Sequence, residues 1–265
     1  MIREIAGRKV SPVGIGTWGI GGTSAADNRH DREHIEALKF AIDQGITFID
    51  TAEVYSAGHS EELVGKAIRD VPREDVFVTT KVWHNHLRHD EVIKAARGSL
   101  SRLDTPYIDL YLIHWPNRSV PLRETLGAME ELVDQGLVKN IGVSNFDVNE
   151  VQEAMENASR HEIVANQIEY SIVKRKCESD IIPYCEENNV RIIAYSPINR
   201  GNLKSLKSLN RLAENISHSP VSVALNYLMK RSIPIPKSSS KEHIMQFVEA
   251  MEFELSDHDY GMLKE

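Results

Sequence analysis

Phe48-Ile-Asp-Thr-Ala-Glu-Val-Tyr55 is the stretch on which the reading of the chain turns: an apolar run stops on an acid, and a phenol follows five residues later. A helix-like segment comes next, and a second apolar run over 76–80 delivers Lys81. An acid and a cation therefore each close a predicted strand. Parallel neighbouring strands end on the same side of a sheet, so both side chains would enter one crevice with Tyr55 between them. By itself an Asp50–Lys81 pair is more often a plain ion pair. The argument for chemistry is that His114 stands at the end of the following predicted strand, giving functional side chains at three successive strand ends.

The rest of the chain repeats this rhythm. Apolar runs at 13–16, 47–49, 76–80, 108–113, 140–143, 163–168, 191–194 and 233–235 alternate with helical patterns at 31–43, 59–69, 90–103, 123–135, 148–158, 177–188 and 220–230. Further helical patterns surround 203–212 and 256–263. Eight strands alternating with helices predict a parallel sheet covered by helices. In a chain of 265 residues with no linker or low-complexity break, the pattern fits a closed (β/α)8 TIM barrel in one domain over 1–265; an open doubly wound sheet is the alternative. A short hairpin turning at Ala6-Gly7 precedes it.

A barrel places its chemistry at the C-terminal strand ends. Those ends carry Thr17 and Trp18, Asp50 and Tyr55, Lys81 and Trp83, His114 and Trp115, Ser144 and Asn145, Gln167, Tyr195 with Ser196 and Pro197, and Lys237 with Ser238. All three tryptophans fall there, whereas the opposite ends read as ordinary turns.

Composition narrows the function class. With 31 Lys and Arg against 39 Asp and Glu, the net charge of −8 argues against nucleic acid or an anionic membrane as the main partner. Met1-Ile-Arg-Glu-Ile has no apolar signal core, and no run approaches a membrane span, so a cytoplasmic location is expected. Cys177 and Cys185, eight residues apart on one predicted helix, are expected to be free thiols.

Two tempting motifs fail. Gly14-Ile-Gly16-Thr-Trp-Gly19 matches the dinucleotide fingerprint G-x-G-x-x-G, but no helix opens at its third glycine and no acid-terminated strand follows at the required spacing. His84, His86 and His114 suggest a metal, but they lack any carboxylate–histidine spacing of a metal motif, so no metal is expected.

What remains is a proton donor. The ordinary tyrosine pKa near 10 is too high for easy donation, and a lysine cation is expected to lower it. Asp50 would hold Lys81, and His114 would orient a carbonyl oxygen or share the proton with Tyr55. The set suits protonation of an alkoxide formed when hydride attacks a carbonyl. No side chain supplies hydride, so a nicotinamide cofactor is implied.

Asp50-Thr-Ala-Glu-Val-Tyr55, Lys81, Ile113-His-Trp115, Gly142-Val-Ser-Asn-Phe146, Asn166-Gln167, Ala194-Tyr-Ser-Pro197 and Ile235-Pro-Lys-Ser238 together resemble the aldo-keto reductases, in family order over nearly the whole chain. The resemblance implies a barrel closed at its base by the N-terminal hairpin, and NAD(P)H bound without a Rossmann domain. It implies Tyr55, Lys81, Asp50 and His114 as the catalytic set, with Tyr55 the general acid. Ser144, Asn145 and Gln167 would hold the carboxamide, and Tyr195 would stack on the nicotinamide. Thr17, Trp18 and Asp50 would also touch the cofactor. Ser196, Pro197, Ile198 and Arg200 would follow the pyrophosphate, and Lys237 and Ser238 would open the 2′-phosphate pocket. Trp18, Tyr55, Trp83, His114 and Trp115 would frame the substrate.

The chain departs from the family pattern after Lys237, where His243, Gln246 and Phe247 stand in place of a phosphate-gripping arginine and a Glu-Asn pair. Lys241 offers a compensating charge, so NADP(H) is preferred and NAD(H) possible, with His243 and Gln246 lining the pocket. The loop after His114 is short and no long segment follows the last predicted helix, which implies an open, shallow pocket for a small-molecule carbonyl substrate. A monomer or weak homo-oligomer is expected. The competing reading is a catalytically weak barrel that senses cofactor or binds a partner.

Overall fold

The computed structural model describes residues 3–264. Strands β1 (Arg3–Ile5) and β2 (Arg8–Val10) form an antiparallel hairpin, turned by Ala6 and Gly7 in left-handed conformations. Eight parallel strands follow: β3 (Gly14–Gly16), β4 (Phe48–Asp50), β5 (Phe77–Val82), β6 (Ile108–Ile113), β7 (Val138–Ser144), β8 (Ile163–Glu169), β9 (Arg191–Tyr195) and β10 (Ile233–Pro234). They pair in sequence order from β3 to β10. The Gly16 N–H donates to the Pro236 carbonyl at 2.9 Å and joins the last strand to the first. Prolines at 234 and 236 cannot donate to a ladder, which keeps β10 shorter than the expected 233–235.

Two of the three glycines of the false fingerprint find their purpose in this closure. A Cβ on Gly14 would stand 2.5 Å from the Phe48 ring, and one on Gly16 would stand 2.8 Å from the Ile235 carbonyl oxygen. The chain needs them because strands and packed rings pass too close for a side chain.

Helices α1 (Asp31–Asp43), α2 (His59–Ile68), α3 (His89–Leu103), α4 (Leu122–Asp134), α5 (Val148–Asn157), α6 (Ile181–Glu187), α7 (Lys207–Asn215), α8 (Pro220–Met229), α9 (Lys241–Glu249) and α10 (Asp257–Lys264) accompany the strands. Local signals fix several starts. Asp147 and Glu150 form a reciprocal capping box on α5, and Ser219 caps α8, whose first residue is Pro220. The strands are buried on both faces, which is why they read as continuous apolar runs.

Two apolar cores result. The inner one stacks Phe48, Phe77, Leu110, Leu112, Ile193, Ile233 and Ile235, and Ile5 and Val10 of the hairpin complete it from below. The outer one joins strands to helices. Beneath the barrel, buried Asp109 accepts from Arg8, from Arg73 at 2.6 Å and from the Val78 N–H at 2.8 Å, tying the hairpin to β5 and β6.

The expected helix over 177–188 is two elements. A 3₁₀ turn spans Lys176–Ser179, and the chain breaks at Asp180, whose carboxylate accepts from the Ile181 N–H at 2.6 Å at the start of α6. Cys177 and Cys185 thus lie on different elements, and both are free. Helix α9, unread in the sequence, is capped by Ser240 and buries Ile244, Phe247 and Val248. Among the described residues no helix is long and apolar enough to cross a membrane, and no group of three His, Cys, Asp or Glu side chains could hold a metal.

Candidate active site

Four side chains meet where β4, β5 and β6 end. Lys81, wholly buried, donates to Asp50 Oδ2 at 2.8 Å, to the Thr51 carbonyl at 2.8 Å and to Tyr55 Oη at 3.3 Å. Gln167 Nε2, from β8 across the barrel, donates to Asp50 Oδ1 at 2.7 Å. Each carboxylate oxygen is therefore occupied and Lys81 has one direction left, towards the phenol. The His114 ring lies 5.6 Å from the Tyr55 ring, edge to face, and the Trp83 ring stands 5.1 Å from His114 at 80°.

Tyr55 reaches this point because the chain after β4 turns back sharply. Ser56 and Ala57 both take positive φ, 53° and 55°, an uncommon and strained state for residues with a Cβ. The turn is held from outside: Ser56 Oγ donates to the Ile20 carbonyl at 3.0 Å, and its N–H to the Thr23 carbonyl at 2.9 Å.

Burial sets the electrostatics. It opposes the Lys81 ammonium, but Asp50 and Tyr55 hold the lysine above its usual pKa. Burial raises Asp50, with Lys81 and Gln167 pulling against it. Lys81 does lower Tyr55, as expected, but burial raises the phenol by more, so its pKa stands above the ordinary value. Burial, with the Lys81 charge beside it, drives His114 down to about 2, so its imidazole is neutral, and its Nδ1 has no hydrogen-bond partner among the described residues.

A second group flanks the first. Asn145, in the left-handed region at φ 62°, donates through Nδ2 to Ser144 Oγ at 3.0 Å and to the His114 carbonyl at 3.1 Å. Tyr195 Oη donates to Asn145 Oδ1 at 2.9 Å, and Ser144 Oγ donates to the Gln167 carbonyl at 3.0 Å. The Tyr195 ring is half-exposed, a flat face beside three amide or hydroxyl groups. Beyond it, Ser196 and Arg200 also take positive φ, and the Arg200 guanidinium lies 5.7 Å from the Trp18 ring across the rim. Lys237 is exposed and pairs with no carboxylate among the described residues; partial burial lowers its pKa. A flat aromatic face, clustered amide partners and an unpaired cation fit a nicotinamide dinucleotide with a phosphate group.

An aldo/keto reductase family model matches residues 12–265. The chain belongs to the aldo/keto reductase family. This family member is 35% identical to the methylglyoxal reductase YeaE of Escherichia coli strain K12 over 258 residues, 95% of this chain and 89% of that one. It superposes on a crystal structure of a thermostable aldo-keto reductase bound to epalrestat with TM-score 0.95 at 43% identity, covering 99% and 98% of the two chains. An aldo-keto reductase from Klebsiella pneumoniae, crystallised with NADPH, gives TM-score 0.92 at 31% identity, covering 100% and 95%.

The reductase fold thus brings together Asp50, Tyr55, Lys81, His114 and Trp83, and beside them Ser144, Asn145, Gln167 and Tyr195, joined to the first group through Gln167 and Asn145. Ser196 and Ile198 are half-buried on the same rim, while Pro197 is buried. Ser238 is buried, its hydroxyl donating to the Ser240 carbonyl at 3.3 Å. Lys241 sits over the Phe40 ring at 5.3 Å, His243 is exposed and Gln246 half-buried. Trp18 and Trp115 are exposed on the rim.

Thr17 has no exposed surface: its N–H donates to the Asp50 carbonyl at 3.0 Å, and its hydroxyl accepts from Ser60 at 2.8 Å. These bonds hold it under the rim, with Ser60 on α2 as its side-chain partner. Sequence reasoning also passed over Glu53, whose carboxylate accepts from the Trp83 N–H at 2.6 Å. An acid two residues before a candidate catalytic tyrosine was the available signal.

Proposed function

We propose that residues 1–265 form one catalytic unit that reduces small aldehydes and ketones to alcohols with NADPH, Tyr55 giving the proton. The observation that supports this most is Lys81 held between Asp50 and the Tyr55 hydroxyl beside a neutral histidine. NADPH, when bound, supplies the hydride that attacks the carbonyl carbon.

Every other part falls to the protein's own groups. The high pKa of Tyr55 keeps it protonated at neutral pH, so the proton is present when the carbonyl oxygen becomes basic. The oxygen takes that proton, and the phenolate left behind faces the Lys81 ammonium. Asp50 fixes the ammonium by taking another of its donors. Neutral His114 orients the carbonyl oxygen without competing as an acid.

Ser144, Asn145 and Gln167 hold the carboxamide, and Tyr195 stacks on the nicotinamide. Trp18, Ser196, Pro197, Ile198 and Arg200 follow the pyrophosphate. Lys237, Ser238 and Lys241 receive the 2′-phosphate, with His243 and Gln246 beside them, which favours NADPH over NADH. Trp18, Trp83 and Trp115 frame an open pocket suited to small carbonyls, in keeping with the likeness to a methylglyoxal reductase. The enzyme works in the cytoplasm as a monomer or weak homo-oligomer.

The test is consumption of NADPH with methylglyoxal and with a panel of aldehydes, aldoses and ketones. Carbonyl-dependent oxidation is expected, and Tyr55→Phe should abolish it while NADPH still binds. Undiminished turnover by Tyr55→Phe would overturn the assignment of the acid.

A further inference from the structure

Between the Tyr55 loop and the next strand end lies a carboxylate the mechanism does not use. The Glu53 side chain is 10% exposed. One of its oxygens, Oε1, accepts twice: from the Trp83 N–H at 2.6 Å and from His86 Nδ1 at 3.0 Å. Two donors on a single oxygen make a charge-assisted clamp, stronger than a neutral pair. The Glu53 N–H also points at the Lys81 carbonyl, at 3.4 Å. The clamp therefore joins the segment that carries Tyr55 to the segment that leaves Lys81.

What it holds is the start of the 83–88 loop. His86 closes that loop through its own N–H to the Trp83 carbonyl at 2.8 Å, and Asn117 Nδ2 donates to the His84 carbonyl at 2.8 Å on the far side. Fixed at both ends, the loop sets the Trp83 ring 5.1 Å from His114 and 4.3 Å from His84. Trp83 has no polar side-chain bond of its own among these contacts, so its place follows from its backbone.

We infer that Glu53 is a positioning residue for the carbonyl pocket: its carboxylate holds the Trp83 backbone so that the Trp83 ring forms a fixed wall against His114. The inference rests on the proposed reduction at Tyr55. It separates two halves of the rim, because none of the hydrogen bonds of Glu53 among the described residues goes to a residue assigned to the cofactor. Its loss should weaken use of the carbonyl substrate and spare NADPH binding.

The experiment compares Glu53→Ala, Glu53→Gln and Glu53→Asp in the wild-type and Trp83→Ala backgrounds, with methylglyoxal as probe. Ala removes the acceptor, and Asp shortens it by one methylene beyond reach of Trp83. Both should lower kcat/KM about tenfold or more, mainly through KM, as loss of a positioned wall does. Gln keeps an acceptor oxygen and should recover most of that loss. NADPH affinity, read by quenching of protein fluorescence, should stay within about twofold in all three. In the Trp83→Ala background the Glu53 variants should add nothing, because the residue acts through Trp83. An unchanged kcat/KM in Glu53→Asp, an additive loss in the Trp83→Ala background, or an equal loss of NADPH affinity would each overturn the inference. Should Glu53→Ala fail to fold, the Asp and Gln pair carries the same decision. Tyr55→Phe is assayed alongside: full activity there would overturn the proposed reaction itself, and a lost activity there with silent Glu53 variants would overturn only the role of Glu53.

Discussion

Two buried carboxylates, at opposite ends of one barrel, have been given opposite surroundings. Asp109 at the base accepts from Arg8, Arg73 and the Val78 N–H, and its cations reach in from the protein surface. Asp50 at the rim is equally well bonded, but its cation Lys81 is wholly buried and shares itself with a phenol. The base cluster ends in satisfied groups. The rim cluster ends in Tyr55 and in His114, whose buried Nδ1 has no partner among the described residues. Full satisfaction locks the hairpin to the barrel, while the open end at the rim is where a further molecule can be met.

Four experiments test that contrast. The largest effect is expected at the rim: Tyr55→Phe should lower kcat by about 10²–10⁴-fold, the usual contribution of a general acid, with stability nearly unchanged. Next, at the base, Asp109→Asn removes the charge that two arginines share and should cost about 1.5–3 kcal/mol in urea unfolding, while kcat per folded molecule is kept. If Asp109→Asn lost turnover without losing stability, the division of labour between the two ends would be wrong.

Lys237→Ala should reduce the preference for NADPH over NADH in kcat/KM about ten- to hundredfold, equivalent to one charge-assisted hydrogen bond of about 1.5–3 kcal/mol. An unaltered ratio would remove Lys237 from the 2′-phosphate pocket.

The smallest effect concerns the support of the rim. His59 is buried beneath Gly21, with Asp31 on Nε2 at 2.9 Å and Glu62 on Nδ1 at 2.8 Å. Burial lowers its pKa, but these two carboxylates outweigh burial and leave it raised. A raised histidine contributes stability that is complete below its unfolded pKa, about 6.5, and is lost as pH rises through its folded value. Wild type should therefore exceed His59→Gln in stability more at about pH 5.5 than at about pH 8.5, by roughly 1 kcal/mol or less. Equal differences at both pH values would show that the imidazolium contributes nothing.

Much of this was legible beforehand because burial on both faces writes a strand as an apolar run, and a polar residue ending such a run marks a rim. Asp50, Lys81 and His114 were found that way. The helix over 177–188 was overread, since Asp180 serves as a cap that the apolar spacing does not reveal. Helix α9 was missed because the short 241–249 segment buries only Ile244, Phe247 and Val248, too brief an apolar pattern to read; Phe247 is core.

The sequence by itself determined the order of elements, the rim on which the candidate site lies, and the residue types gathered there, because these follow from periodicity and chemistry along the chain. Only the tertiary structure decided how those groups behave. The distance from Lys81 to Tyr55, the upward shift of the phenol, the neutrality of His114 and the burial of Thr17 depend on what packs around each group from distant segments. Desolvation belongs to the assembled barrel, and no local stretch of sequence contains it.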